Sequence, residues 1–117
     1  MFLDVRLNII DKQMQKHGLT NWNVKVVSSI PGFPKAIGLC HYDSNTIYLQ
    51  YALVALDESG EWLDTLKHEI AHALTPESAD HEDDHGPTWQ ALATVVGCKL
   101  EARVKVSAIV KERLKGL

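Results

Sequence analysis

The chain has 117 residues, of which 45% are apolar and 23% charged, and its formal net charge is -3. A chain of this length can bury one core without disulfides, so the composition excludes fibrous and disordered classes and favours a single domain. No stretch approaches the roughly 18 uninterrupted apolar residues of a membrane span, and the charges of Asp4 and Arg6 argue against a signal peptide. We therefore expect a soluble, cytoplasmic protein without membrane contacts.

The first half of the chain carries one helical pattern followed by strand patterns. Apolar residues at helical spacing precede His17-Gly18, a natural helix end, whereas residues 28–34 hold too much Pro and Gly for regular structure. Residues 43–45 have side chains that close tight turns. The predicted elements are a helix over 3–16, a strand over 22–27, and a hairpin with strands over 36–42 and 46–50.

The second half is predicted to be helical, with a polar loop in its middle. One helix begins at Ser59 or Gly60 and ends at residue 74, before Pro76. Another helix is entered through Pro87, which suits a first helical position, and Gly97 ends it. The tail is ambiguous, because residues 99–106 alternate like a strand while residues 107–117 suit a short helix.

The motif that carries chemistry is HExxH, at residues 68–72. On a helix His68 and His72 project from one face, so two imidazole nitrogens can bind one Zn²⁺ at about 2.0–2.1 Å. Glu69 lies about 100° around the helix, where a general base can reach a water at the metal. An apolar stripe on the opposite side gives this helix a face to bury; it consists of Leu63, Leu66, Ile70 and Leu74.

A catalytic zinc site usually has three protein ligands and a water, so a third ligand is needed. The downstream candidates are Glu77, Asp80, His81, Glu82, Asp83, Asp84 and His85. His85 is the best of them, because Gly86-Pro87 holds it at a bend and a helix start, whereas residues 81–84 have the composition of a solvated charge run. Thr75 and Ser78 exclude the longer HExxHxxGxxH pattern. A solvent-facing helix that merely carries His and Glu remains an alternative.

Together these segments resemble the SprT-like zinc metallopeptidases, which include the Spartan-type DNA–protein crosslink proteases. That family has HExxH, a polar loop, then His-Gly-Pro and an aromatic residue; here residues 85–89 are His-Gly-Pro-Thr-Trp. Residues 36–42 and 45–49 are similar to the family's hairpin before the active-site helix. Trp22 stands where the family often has a tryptophan at the start of its first strand.

The resemblance implies an α+β, zincin-like minimal metalloprotease domain with a small three-stranded sheet. By the match, His68, His72 and His85 would bind Zn²⁺ and Glu69 would be the catalytic glutamate. We expect a core over residues 1–98, with a basic tail over 99–117 packed on it or extending it. Many bacterial relatives carry a zinc ribbon of four cysteines, whereas this chain has only Cys40 and Cys98, so crosslink repair is not implied.

The predicted function is zinc-dependent hydrolysis of peptide bonds in a protein or peptide substrate. Acidic residues dominate positions 57–84 and basic residues dominate positions 99–115, so any DNA association should be weak. The alternative is a zinc-bound, non-catalytic interaction module, with nucleic acid as one possible partner. Trp89 is expected in the core or, less favoured, on the wall of the cleft. His41 and Tyr42 are candidate oxyanion donors or, more simply, residues on the surface of an edge strand.

Overall fold

The computed structural model describes residues 2–76 and 85–100. These residues form an α+β fold with one small three-stranded sheet, as predicted. The elements are α1 (Phe2–Lys16), β1 (Asn23–Val27), β2 (Gly38–His41), β3 (Thr46–Gln50), α2 (Tyr51–Leu56), α3 (Glu61–Leu74) and α4 (Pro87–Val96). None of the helices in these residues is long and apolar enough to cross a membrane.

The sheet has β3 at its centre and β2 at one edge, in the order β1-β3-β2. β2 and β3 form the predicted antiparallel hairpin, with Gly38 opposite Leu49. Its turn includes Asn45 at a φ of 48°, a left-handed conformation that asparagine tolerates. β1 runs parallel to β3, a pairing that the strand patterns alone did not specify. Among the described residues β2 is an edge strand, so no strand pairs with one side of its backbone.

A short helix that the sequence patterns did not predict follows β3 directly. It is α2, whose residues Ala52, Leu53 and Val54 are all buried. The Gln50 side chain caps this helix by accepting the N–H of Leu53 at 3.1 Å. The segment Tyr51–Leu56 is nearly all apolar and too short for a helical period, so its sequence did not distinguish helix from strand.

The core lies between the sheet and the helices, and α3 is its centre. α3 packs against β2 on one side and α4 on the other. In the predicted apolar stripe, Leu66 and Ile70 are fully buried, whereas Leu63 and Leu74 are only partly buried at the edge of the core. The arrangement therefore holds the helix with the HExxH motif from both sides.

The end of the described region confirms the helix that was predicted to start at Pro87 and to end at Gly97. Pro87 is in its first turn, and Gly97 ends it with a φ of 94°. The backbone N–H of Lys99 then donates to Asp64 Oδ1 at 3.1 Å, which places residue 99 beside the first turns of α3. The predictions for residues 77–84 and for most of the tail fall outside the described residues. The domain boundary at residue 98 stays a prediction.

Candidate metal centre

The N-terminal end of α3 is anchored by a carboxylate three residues before its cap. Gly60, the N-cap, makes no side-chain capping bond. Asp57 is fully buried instead, and it accepts from Ser59 Oγ at 2.7 Å and from the Trp62 N–H at 3.0 Å. Burial alone raises the pKa of Asp57, but hydrogen bonds from Ser59, Trp62 and Gly60 outweigh it and hold the pKa below its usual value. The buried carboxylate is thus ionised and fixes the start of the helix.

The C-terminal end of α3 is fixed by two hydroxyl groups. Thr75 Oγ1 donates to the carbonyl of Ala71 at 2.7 Å. The hydroxyl of Tyr42, in the hairpin turn, donates to the carbonyl of His72 at 2.5 Å. These bonds reinforce the backbone cap, in which the N–H of Thr75 already donates to the same two carbonyls. They also hold the last turn of the helix, which carries His72.

Three histidines converge where α3 faces the start of α4. His68 and His72 come from α3, and His85 precedes Gly86, the N-cap of α4. The His85 Nε2 atom lies 3.1 Å from the Nε2 atoms of both His68 and His72. The ligand atoms of all three lie within 4.8 Å of one another, so the structure brings together the predicted set.

The donor set suits a metal ion better than hydrogen bonding among the rings. A neutral imidazole has one N–H, so His85 Nε2 cannot donate to both neighbours at once. Nitrogens bound tetrahedrally at 2.0–2.1 Å to one Zn²⁺ would lie about 3.3 Å apart, close to the separations found here. The three histidines could therefore hold a metal ion with little rearrangement.

The electrostatics keep two of these rings neutral. Burial, assisted by the neighbouring His85, lowers the pKa of His68 to about 4. Burial, with His68 and His85 beside it, lowers the pKa of His72 to about 3. A metal needs the unprotonated nitrogen of an imidazole, so both rings are in the binding form at neutral pH.

Trp89 forms one wall of the histidine cluster. Its side chain is fully buried, and its ring centroid lies 4.9 Å from that of His68, 5.4 Å from His72 and 4.7 Å from His85. The core position predicted from sequence is confirmed, but the same ring also lines the site. A wall of this kind excludes water and keeps the imidazoles in place.

Glu69 lies beside the cluster and points its carboxylate toward the sheet. The residue is only 7% exposed, and burial raises its pKa to about 8. Burial also raises the pKa of the Cys40 thiol in β2, and the nearby Glu69 adds to that effect. The carboxyl group is therefore sheltered between α3 and β2.

Other polar and aromatic residues of the described region have structural roles. His41 is exposed, with its Nδ1 2.7 Å from Ser44 Oγ. The Trp62 ring lies under the Arg6 guanidinium at 5.2 Å, and Asp64 accepts from Lys99. His81 and the acidic candidates of residues 77–84 lie outside the described residues. Asp57 was missed, although an Asp just before a predicted helix start is a recognisable capping signal.

Comparison with known proteins agrees with this geometry. A sequence model of the SprT-like family matches residues 7–109. The chain belongs to the SprT-like family. The match runs from α1 through the hairpin, α3 and α4, and it contains all three histidines and Glu69. No curated protein and no solved structure matched the chain. Membership of the SprT-like family is compatible with a metallopeptidase-type domain and with a metal at the histidine cluster.

Proposed function

We propose that this SprT-like chain is a zinc metallopeptidase with a zincin-like active site. The observation that carries the proposal is the convergence of three imidazole Nε2 atoms beside a buried glutamate. Zn²⁺, when bound, supplies a Lewis acid that polarises a carbonyl and activates a water. His68, His72 and His85 would hold it, and the set of three nitrogen ligands leaves a position for water or substrate.

Glu69 would move the proton in this reaction. Its carboxylate would take a proton from the attacking water and deliver it to the departing amine as the peptide bond breaks. In the metal-free protein the pKa of Glu69 is about 8, within reach of neutral pH. A group of this kind can both accept and release a proton during one turnover.

The substrate would be a protein or peptide bound in extended form along β2. β2 is an edge strand, and within residues 2–76 and 85–100 no other strand pairs with its outer side. An extended peptide can add to such an edge through main-chain hydrogen bonds. β2 also packs on α3, so a peptide bound there would run close to the histidine cluster.

The decisive experiment compares the wild type with Glu69→Gln. Glutamine keeps the size of the side chain but cannot accept the proton, so cleavage of a protein substrate should fall by at least about 100-fold while zinc content persists. Equal cleavage by both proteins would contradict the mechanism. A wild type that binds zinc but cleaves none of a panel of unfolded and DNA-associated proteins would instead favour the non-catalytic zinc module.

We further propose that DNA is at most a weak partner. The basic tail of residues 99–115 offers only a few phosphate contacts, and the acidic residues of positions 57–84 oppose them. With three or four phosphates neutralised, the affinity for duplex DNA should fall with salt at a log-log slope of about -3. Sub-micromolar, salt-sensitive binding lost on changing Lys111, Arg113 and Lys115 to Glu would contradict this proposal.

A further inference from the structure

The first residue of β2 lies directly against the helix that carries the HExxH motif. A Cβ atom placed on Gly38 would lie 2.8 Å from Thr65 Cγ2 and 3.0 Å from Glu69 Oε2. The same atom would lie 3.3 Å from Glu69 Cγ. Carbon atoms in contact prefer separations of about 3.5–4.0 Å. There is no room for a side chain between Gly38 and α3.

The backbone of Gly38 does not itself require glycine. Gly18, Gly60 and Gly97 adopt positive φ angles of 71°, 90° and 94°, which other residues rarely take. Gly38 is not in that region and lies in a regular strand opposite Leu49. Glycine weakens a strand and often marks the close approach of another group. The lack of space beside α3, and not the backbone conformation, therefore explains why residue 38 is a glycine.

Of the two side chains nearest to Gly38, Glu69 can move more easily than Thr65. Thr65 is 1% exposed, and its branched side chain is stiff and enclosed by the core. Glu69 is unbranched, and the atom nearest to Gly38 is at the end of its side chain. A side chain at position 38 would therefore press on the core at Thr65 and displace the Glu69 carboxylate.

We propose that Gly38 is a positioning residue for Glu69: its missing side chain leaves the space in which the carboxylate lies between β2 and α3. The inference rests on the proposed role of Glu69 in proton transfer. Catalytic groups must be held within about 0.5 Å of their productive positions, so a displacement of the carboxylate that approaches this distance would slow proton transfer.

The test places Gly38→Ala in two backgrounds. Thr65→Ser removes only the methyl group nearest to position 38, so alone it should leave kcat within about 2-fold of wild type. Gly38→Ala alone should lower both stability and kcat. The double variant Gly38→Ala/Thr65→Ser should regain stability yet keep a kcat about 10-fold below wild type, with KM within about 2-fold and zinc bound. Recovery of wild-type kcat in the double variant would overturn the proposal and leave Gly38 a packing residue.

A second measurement does not depend on cleavage. In zinc-free protein labelled with carbon-13 at glutamate side-chain carboxyls, the Glu69 signal is identified by its loss in Glu69→Gln. The double variant should shift this signal, whereas Thr65→Ser should leave it near its wild-type position. An unchanged signal in the double variant would overturn the positioning role. A shifted signal in a protein that cleaves no peptide would retain that role and reject the proposed function.

Discussion

The phenolic oxygen of Tyr42 lies 2.5 Å from the carbonyl oxygen of His72, to which its hydroxyl donates. Tyr42 follows β2 in the hairpin turn, and the Trp22 ring packs against it edge-on with centroids 6.0 Å apart. A side chain of the hairpin turn thus holds the backbone of a candidate metal ligand in α3. On its sequence Tyr42 was a candidate oxyanion donor or an edge-strand residue, whereas this bond gives it a positioning role.

Replacing Tyr42 by Phe should therefore weaken both the fold and the metal site. Loss of the hydrogen bond should lower the free energy of unfolding by about 1 kcal/mol. Zinc affinity should fall about 10-fold, the lower end for groups that orient a ligand. Denaturant unfolding and competition with a chelator measure the two effects. Tyr48→Phe is the matched control, because the described residues contain no hydrogen bond to the Tyr48 hydroxyl; equal losses in both variants would contradict the role of Tyr42.

The histidine cluster predicts which substitutions remove the metal. We expect about one zinc per chain, and a melting temperature that falls when a chelator removes it, because a ligand of the native state stabilises that state. His72→Ala and His85→Ala should each abolish most zinc binding, because each removes one of the three proposed nitrogen ligands. His81→Ala is the control and should leave zinc content nearly unchanged. If His81→Ala lost its zinc and His85→Ala kept it, the assignment of His85 as the third ligand would be wrong.

Replacing Asp57, which fixes the start of α3 and is not part of the histidine cluster, should lower the stability of the protein strongly. Asp57→Ala should lower the free energy of unfolding by about 2–3 kcal/mol at pH 7, because it leaves buried N–H groups unpaired. The folded pKa of Asp57 is lowered, so its contribution is present above the unfolded value and is lost as pH falls through the folded value. The difference in the free energy of unfolding between wild type and Asp57→Ala should therefore disappear in strong acid. Denaturant unfolding at several pH values would measure it.

The exposed turn residue Asp43 supplies the control for that experiment. Asp43→Ala should change the free energy of unfolding by less than about 0.5 kcal/mol. An effect of similar size for Asp43→Ala and Asp57→Ala would contradict the capping role of Asp57.

The sequence predicted those parts of the site that depend on local spacing. His68 and His72 share a helix face because they are four residues apart, and that relationship needs no tertiary structure. His85 was the favoured third ligand because Gly86-Pro87 follows it, and the resemblance to the family supported that choice, since the separation of His85 from α3 is not periodic. The hairpin and α4 could also be predicted from local sequence. Turn residues mark the hairpin, Pro87 marks the start of α4 and Gly97 marks its end.

The features that were not predicted all depend on contacts between distant segments. The parallel pairing of β1 with β3 joins strands separated by residues 28–45, which include β2. The fit of Gly38 against Glu69 exists only after β2 has packed on α3. A glycine in a strand pattern signals a close approach but does not identify the neighbour. The burial of Glu69, which sets its pKa, is likewise a property of the packed fold.

The raised pKa of Glu69 predicts a pH dependence of stability in the zinc-free protein. Burial raises this pKa from 4.5 to about 8, so the folded state retains a proton that the unfolded state releases. The contribution of this carboxyl group to the free energy of unfolding is fully present below pH 4.5 and is lost as the pH rises through about 8. Each unit of pKa shift corresponds to about 1.4 kcal/mol.

The variant Glu69→Gln, which cannot ionise, tests this dependence. Its free energy of unfolding should exceed that of wild type by under about 1 kcal/mol at pH 5, and this advantage should grow by about 2 kcal/mol or more by pH 9. Comparing the two proteins at each pH separates Glu69 from the titration of the histidines, and the exposed Glu58→Gln serves as the control. An advantage that does not change between pH 5 and pH 9 would show that Glu69 is not buried as the structure has it.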